Sequence, residues 1–387
     1  MKIDELRLYN FRNYDQITIK PHEGINLFFG KNGSGKTNLL EAIHFCALGK
    51  SHRISNDQNI VRIGENEGMC SVSVQNSSSK KTIQVRLQPA ETQKKTILID
   101  QKKIHRFSDM MGCLQCVIFS PEDLDLIKEG PSVRRKYLDM MISQISKNYF
   151  VALQQYRNAM EQRNAILRTL KNDKRDFSAM LTDFEEAMAV PAAVIVRERE
   201  RFSGILSEYA RSIYRKISNN EEELNIGYHT GIRDKDDIAG EMIKELKENR
   251  TDDIRYGITS FGPHRDDLLI TLNRKGMKTI ASQGQIRTAA LSMKLSQMSV
   301  LKEQSGESPV LLLDDVMSEL DKGRRMRLLE EIGNTQTFIT CTDESDLDDC
   351  TEKRTYAVSS ENGIGSIYEV YSGQMTEEEC EESPDFT

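Results

Sequence analysis

The spacing of apolar positions changes rhythm twice along the chain. Through residue 120 they come in short alternating or continuous runs, LRLYNF, QITIK and INLFFG, as strands do. CSVSVQNSSSKKTIQVRLQ alternates on both sides of NSSSK and predicts a hairpin, and one helical stretch, TNLLEAIHFCAL, interrupts these strands. After Pro121 apolar residues recur at spacings of three and four: Leu153, Tyr156 and Met160, then Leu167 and Leu170, with Arg163 breaking the stripe. Phe202, Ile205, Tyr209, Ile213 and Ile217 repeat the rhythm. Two helices joined near KNDKRDFS therefore predict a short antiparallel arm of coiled-coil character, kinked where Pro191 removes a backbone donor. Strand texture returns from residue 256 in ITSFGPHRDDLLITL, followed by a helix from Ser282 to Lys302 and the wholly apolar strand VLLLDD. The pattern predicts an α/β lobe built from residues 1–120 and 256–370, a helical lobe over 121–255, and no internal repeat.

Composition narrows the class. With 38% apolar and 29% charged residues in 387, the chain is in the globular range and long enough for two or three domains. MKIDELRLYN lacks the apolar core of a leader and no window reaches 18 apolar residues, so the expected compartment is the cytosol, with no membrane span. Seven cysteines without dense spacing fit reduced thiols. The lone CxxC, Cys113 and Cys116, has no second pair at zinc spacing. The net charge of −7 is concentrated in the last twelve residues, TEEECEESPDFT, which hold six acids and no base; residues 371–387 read as a disordered acidic tail. The remaining body is near neutral and can meet nucleic acid only through a local basic face.

GKNGSGKT, residues 30–37, follows the strand INLFF and precedes a helix, the context of a phosphate-binding loop. Gly30, Gly33 and Gly35 let main-chain N–H groups of the loop, Lys31, Asn32 and Ser34 included, wrap phosphates. Lys36 supplies a point charge and Thr37 a hydroxyl for Mg²⁺. VLLLDDVMSELD, residues 310–321, ends a buried strand in two carboxylates: Asp314 suits Mg²⁺, and Asp315 suits orientation or deprotonation of an attacking water. The pair implies ATP hydrolysis as well as binding. In SQGQIRT, Ser282 can cap the following helix, and the N–H groups of Gln283, Gly284 and Gln285 present an anion site at its positive end. A plain helix cap explains these residues locally. Their place about thirty residues before the carboxylate strand is the order of ATP-binding-cassette (ABC) ATPases, in which the signature loop of one protomer closes on ATP held by the other.

Several stretches taken together resemble the RecF family, bacterial recombination and repair ATPases related to SMC heads. They are LRLYNFRNY, GKNGSGKTNLLEAI, LGKSHR, FSPEDLDLIKEGPSVRRKYLD, YRNAMEQRNAIL, SFGPHRDDL, SQGQIRT and LLLDDVMSELD, in family order over most of residues 1–340. The resemblance implies an ABC-type P-loop ATPase head, with mixed sheets around the P-loop helix, and a helical second lobe bearing the arm. It puts the signature loop on Ser282, Gly284 and Gln285 and a dimer-contacting D-loop on Ser318 to Asp321, and it sets Arg12 and Asn13 where related heads touch nucleotide. It further implies ATP and Mg²⁺ as cofactors, an ATP-dependent homodimer on gapped or single-stranded/duplex junction DNA, RecR and RecO as partners in loading RecA, and support of SOS induction. Three departures predict slow hydrolysis: Asp315 in place of glutamate, SQGQ in place of LSGGQ, and Thr340, Cys341 and Thr342 in place of the switch histidine. No Q-loop glutamine stands near FSPEDL.

Three basic clusters are candidates for DNA: Arg134, Arg135 and Lys136; Lys171, Lys174 and Arg175; and Arg324, Arg325 and Arg327. His264 and Arg265 in GPHRDD read equally as a turn with buried polar contacts or as neighbours of nucleotide or DNA. A transporter's nucleotide-binding subunit would carry LSGGQ and a switch histidine, which this chain lacks. An SMC-type chromosome head would separate its halves by a far longer coiled coil.

Overall fold

The computed structural model describes residues 1–172, 178–218, 222–344, 353–371 and 374–375. The chain divides into two compact units, Met1–Pro121 with Gly306–Thr387, and Glu122–Ser305. The first unit opens with β1 (Lys2–Phe11), β2 (Tyr14–Ile19), β3 (Ile25–Phe29), α1 (Lys36–Leu48), β4 (Gly68–Gln75), β5 (Lys80–Leu87), β6 (Lys95–Ile99), β7 (Lys102–Lys103) and β8 (Cys116–Phe119). The second contributes α2 (Asp125–Lys128), α3 (Pro131–Ile145), α4 (Lys147–Asn172), α5 (Ser178–Ile217), β9 (Leu224–His229), α6 (Ile238–Glu248), α7 (Arg250–Tyr256), β10 (Asp267–Leu272), β11 (Lys275–Gly276), α8 (Met277–Ile280) and α9 (Gln283–Ser305). The first unit resumes with β12 (Val310–Asp314), α10 (Lys322–Ile332), β13 (Thr337–Cys341), β14 (Lys353–Glu361), β15 (Ile364–Tyr371) and β16 (Gln374–Met375).

In the first unit, β2-β1-β4-β5-β6-β7 form an antiparallel sheet and β16-β15-β14-β3-β13-β12-β8 a second, in which β14, β3, β13, β12 and β8 run parallel. Every residue of β8, β12 and β13 is buried, as the apolar runs of β8 and β12 predict. Helix α1 packs against strands of both sheets. Leu39, Leu40, Ile43, Phe45 and Cys46 point in several directions and are all buried, so from Leu39 onward the helix is buried nearly all round, Glu41 and His44 included. Side chains of β1, β4, β5, β12 and β13 complete this core.

In the second unit β11-β10-β9 form a small antiparallel sheet beside α3, α5 and α9. Residues 256–305, expected in the ATPase lobe, belong here, and the chain returns to the first unit only at Gly306. The strand texture of residues 267–272 was readable, but β10 pairs with β9, and pairing partners do not follow from periodicity. Helices α4 and α5 pack together as the expected arm, and α5 continues through Pro191. Arg163, which broke the apolar stripe, is fully buried. Its guanidinium donates to Asp253 at 2.6 Å and Glu185 at 3.1 Å, and Arg250 of α7 also binds Glu185. The helix junction at 173–177, with Lys174 and Arg175, and residues 376–387 of the acidic tail lie outside the described residues.

Candidate nucleotide site

The phosphate loop runs from the end of β3 into α1, and its glycines are dictated by space. A Cβ on Gly30 would collide with the Val358 carbonyl of β14. Gly35, at φ +114°, has the Asn13 amide 2.6 Å from where a Cβ would stand. Gly33, at φ +82°, faces open space. Lys36 is buried and donates to the carbonyls of Gly30 at 2.7 Å and Lys31 at 3.1 Å, which holds its ammonium inside the loop. The Ser34 hydroxyl is buried without a partner.

A turn between β1 and β2 clamps this loop. Asn13 donates to the Ser34 carbonyl at 2.9 Å and accepts from the Asn38 amide at 2.8 Å, while the Tyr14 hydroxyl donates to the Gly35 carbonyl at 3.1 Å. Arg12 lies beside it with its guanidinium forked on Glu41 of α1 at 2.7 and 2.9 Å and a further bond to the Asn59 carbonyl. Glu41 is fully buried and also accepts from the Ser51 hydroxyl at 2.6 Å and from Arg53. Burial raises its carboxyl, but the Arg12 and Ser51 hydrogen bonds outweigh that and hold it below the usual glutamate value. Glu41, Ser51 and Tyr14 were not recognised as site residues. The signal for Glu41 was an acid amid the apolar TNLLEAIHFCAL.

The carboxylates arrive on the other side. Since β13 lies between β3 and β12, the ends of all three strands meet. The Thr37 hydroxyl donates to Asp314 Oδ1 at 2.8 Å, so the two side chains expected to hold Mg²⁺ are already in contact. The Thr340 hydroxyl donates to the same oxygen at 2.7 Å. Burial pushes the Asp314 carboxyl above its usual value, and the Asp315 charge adds to this, against the two hydroxyl hydrogen bonds. Asp315 takes a left-handed φ of +52°, its N–H donates to Thr340 Oγ1 at 3.0 Å, and its Oδ1 is buried without a partner among the described residues. The donor set fits ATP and Mg²⁺: hard oxygens from a hydroxyl and a carboxylate, a buried ammonium, and an orphan hydroxyl in a glycine-lined loop. In the D-loop stretch, Ser318 donates to the Asp315 carbonyl at 2.9 Å and Asp321 caps α10.

The other expected residues lie in the second unit. Ser282 and Gln285 form a reciprocal capping box: the Ser282 N–H donates to Gln285 Oε1 at 2.7 Å and the Gln285 N–H to Ser282 Oγ at 3.3 Å. The Gln285 amide also binds Glu222, while Ser282 and Gln283 remain exposed. Among the DNA candidates, Arg134 is corrected. It is buried, with its guanidinium forked on Asp267 at 2.7 and 2.9 Å, and Arg135 donates to the Asp266 carbonyl. The i, i+1 spacing of α3 turns Arg134 inward and leaves Lys136 exposed. GPHRDD is a partly buried polar turn, with Arg265 exposed. His264 bonds Tyr156 at 2.7 Å and the Thr259 carbonyl at 2.9 Å, and burial pushes its imidazole down to about 4.

Residues 2–366 match the family model described as the RecF/RecN/SMC N terminal domain. The DNA replication and repair protein RecF of Clostridium botulinum (strain Eklund 17B / Type B) is 40% identical over 364 residues, covering 94% of this chain and 99% of the relative. That of Alkaliphilus oremlandii (strain OhILAs) is 40% identical over 347 residues, covering 88% and 93%. A solved structure of the recombination mediator protein RecF-ATPrS in the RecFOR pathway superposes with a TM-score of 0.86 at 36% identity, covering 94% of this chain and 97% of that one. An Smc head domain from Pyrococcus furiosus, at TM-score 0.56 and 16% identity over 95% and 96% of the chains, shares the fold. The architecture is that of an ABC-type ATPase head. No helix among the described residues is long and apolar enough to cross a membrane.

Proposed function

This chain belongs to the RecF family of DNA replication and repair proteins, and from that premise we propose that it is an ATP-gated DNA clamp, two copies of which close on ATP and open on slow hydrolysis. The observation that carries the reading is the junction of Thr37, Asp314 and Asp315 at the mouth of the phosphate loop. Thr37 and Asp314 would hold Mg²⁺, which neutralises charge on the β and γ phosphates. Lys36 would exchange its loop carbonyls for phosphate oxygens, and the Ser34 hydroxyl would gain the partner it lacks. Asp315 would orient water against the γ-phosphate. Arg12 and Asn13 would serve nucleotide by holding the loop in shape, since their side chains are already bonded to Glu41, Ser34 and Asn38.

The second half of the site would come from a second copy. Exposed Ser282 and Gln283 at the start of α9 offer a helix N-terminus, with Gln285 and Gly284 shaping the turn and Ser318 and Asp321 at the contact between copies. The γ-phosphate is then the ligand that distinguishes closed from open. DNA is the macromolecular partner, with a gapped or single-stranded/duplex junction as preferred form. The RecFOR description of the solved relatives supports RecO and RecR as partners; loading of RecA, support of SOS induction and a cytoplasmic setting complete the proposal.

The test measures oligomeric state and DNA affinity without nucleotide, with ATP and with a non-hydrolysable analogue. The analogue should give a long-lived dimer with raised DNA affinity. Lys36→Met should abolish both, Asp315→Asn should dimerise without turnover, and Ser282→Arg should bind ATP yet stay monomeric. Normal dimerisation of Ser282→Arg would refute the signature loop in trans, and DNA affinity indifferent to nucleotide would refute the clamp.

A further inference from the structure

Thr340, Cys341 and Thr342 stand where transporter cassettes carry their switch histidine, and the Thr340 side chain is fully buried. A hydroxyl has one proton to give and lone pairs to accept with, and Thr340 uses both. It donates to Asp314 Oδ1 at 2.7 Å and accepts the Asp315 N–H at 3.0 Å. One atom therefore ties the Asp314 carboxylate to the peptide N–H of Asp315. Strand order explains why this residue does it. Lying between β3 and β12, β13 ends beside both the phosphate loop and the carboxylate strand, with Thr340 in register with Asp314 and Phe28.

What Thr340 holds is an uncommon conformation. Asp315 sits at φ +52°, which costs energy for any residue with a Cβ, though least for Asn and Asp. Its Oδ1 has no partner among the described residues. Such a residue persists only where its surroundings over-determine it, and strain of this kind gathers where a side chain must be aimed. Freed from the Thr340 oxygen, the Asp315 N–H would have no acceptor, and the residue could relax to negative φ and swing its carboxylate away.

We propose that Thr340 is a positioning residue for ATP hydrolysis: its hydroxyl latches the Asp314–Asp315 peptide in the left-handed turn and so aims Asp315 at the attacking water. This rests on the reading of Asp315 as the catalytic acid. It also accounts for aspartate where cassettes have glutamate, because a left-handed position favours the short acid and glutamate would reach one methylene too far.

The experiment compares the parent with Thr340→Val, Thr340→Ser, Asp315→Asn and Asp315→Glu, each measured for kcat, KM, affinity for a fluorescent ATP analogue and thermal midpoint. Valine keeps the shape and removes the hydroxyl. Thr340→Val should lose about tenfold to a hundredfold in kcat, as misplaced catalytic groups do, with ATP affinity within about twofold of the parent. Thr340→Ser should restore most of the loss, and Asp315→Glu should not exceed the parent. Parental kcat in Thr340→Val, or an equal loss of ATP affinity and kcat, overturns the latch. Should Thr340→Val fail to fold, Thr340→Ala carries the same expectations. Asn tolerates the left-handed turn, so Asp315→Asn changes the chemistry alone. If it turns over normally, the catalytic reading itself has failed, whereas an inactive Asp315→Asn beside a fully active Thr340→Val removes only Thr340.

Discussion

Glu41 organises more of the site than any single residue of the phosphate motif. One buried carboxylate gathers Arg12, Ser51 and Arg53 against α1. Its carboxyl is held below the ordinary value of 4.5, so it stabilises the fold fully above that value, and the contribution is lost as pH falls through the lower folded-state value. Glu41→Gln should cost about 1.5–3 kcal/mol near neutral pH, the range for hydrogen bonds to a charged group. The gap in thermal midpoint between parent and variant should then narrow as the pH falls below the ordinary value of 4.5 and through the lower folded-state value. A gap independent of pH would mean that the charge is irrelevant. The glycines, Lys36 and Thr37 could be assigned from sequence because each acts within a few residues of the others. Glu41 could not, since its partners come from a turn and a loop that only folding brings to it. Arg134 fails as a DNA contact for the same reason: its Asp267 partner is remote in the chain.

At the scale of elements, two kinds of helix were read with different success. The α4–α5 arm follows its apolar period, but the residue that interrupts the period ties the arm to α7. Arg163 bridges Glu185 of α5 and Asp253 of α7 with all three side chains buried. Removing the cation while leaving two buried acids is among the costliest changes available. Arg163→Met should destabilise the second unit by about 3–5 kcal/mol, read from denaturant unfolding followed by helical circular dichroism. A loss under about 1 kcal/mol would show that the acids find other partners or protonate without cost. At the start of α9 the N–H groups of Ser282 and Gln285 are each satisfied by the other's side chain, which a plain helix cap explains. Its assignment to a second copy comes from family membership and chain order.

For the whole molecule, the two ends of the chain build one unit and its middle builds the other. Two basic residues of the candidate DNA clusters are committed to acids, Arg134 to Asp267 and Arg324 to Asp321. A clamp of two copies would offer DNA twice the basic residues of one. The slope of log affinity against log salt, which counts phosphates neutralised, should steepen when the non-hydrolysable analogue is added. An unchanged slope would mean that nucleotide does not alter the number of contacts, and the paired-copy clamp would fall.

The sequence by itself determined the phosphate loop, the carboxylate strand, the alternation of strand and helix textures and the family, because each is written in short-range spacing that the backbone period reads directly. Tertiary structure alone decided that residues 256–305 join the helical unit, that Arg12 and Asn13 brace the loop, that Arg134 is buried, and that Thr340 links the two acids. These depend on which strands become neighbours and which way a side chain turns, and the free energy that settles both lies in contacts between residues far apart in the chain.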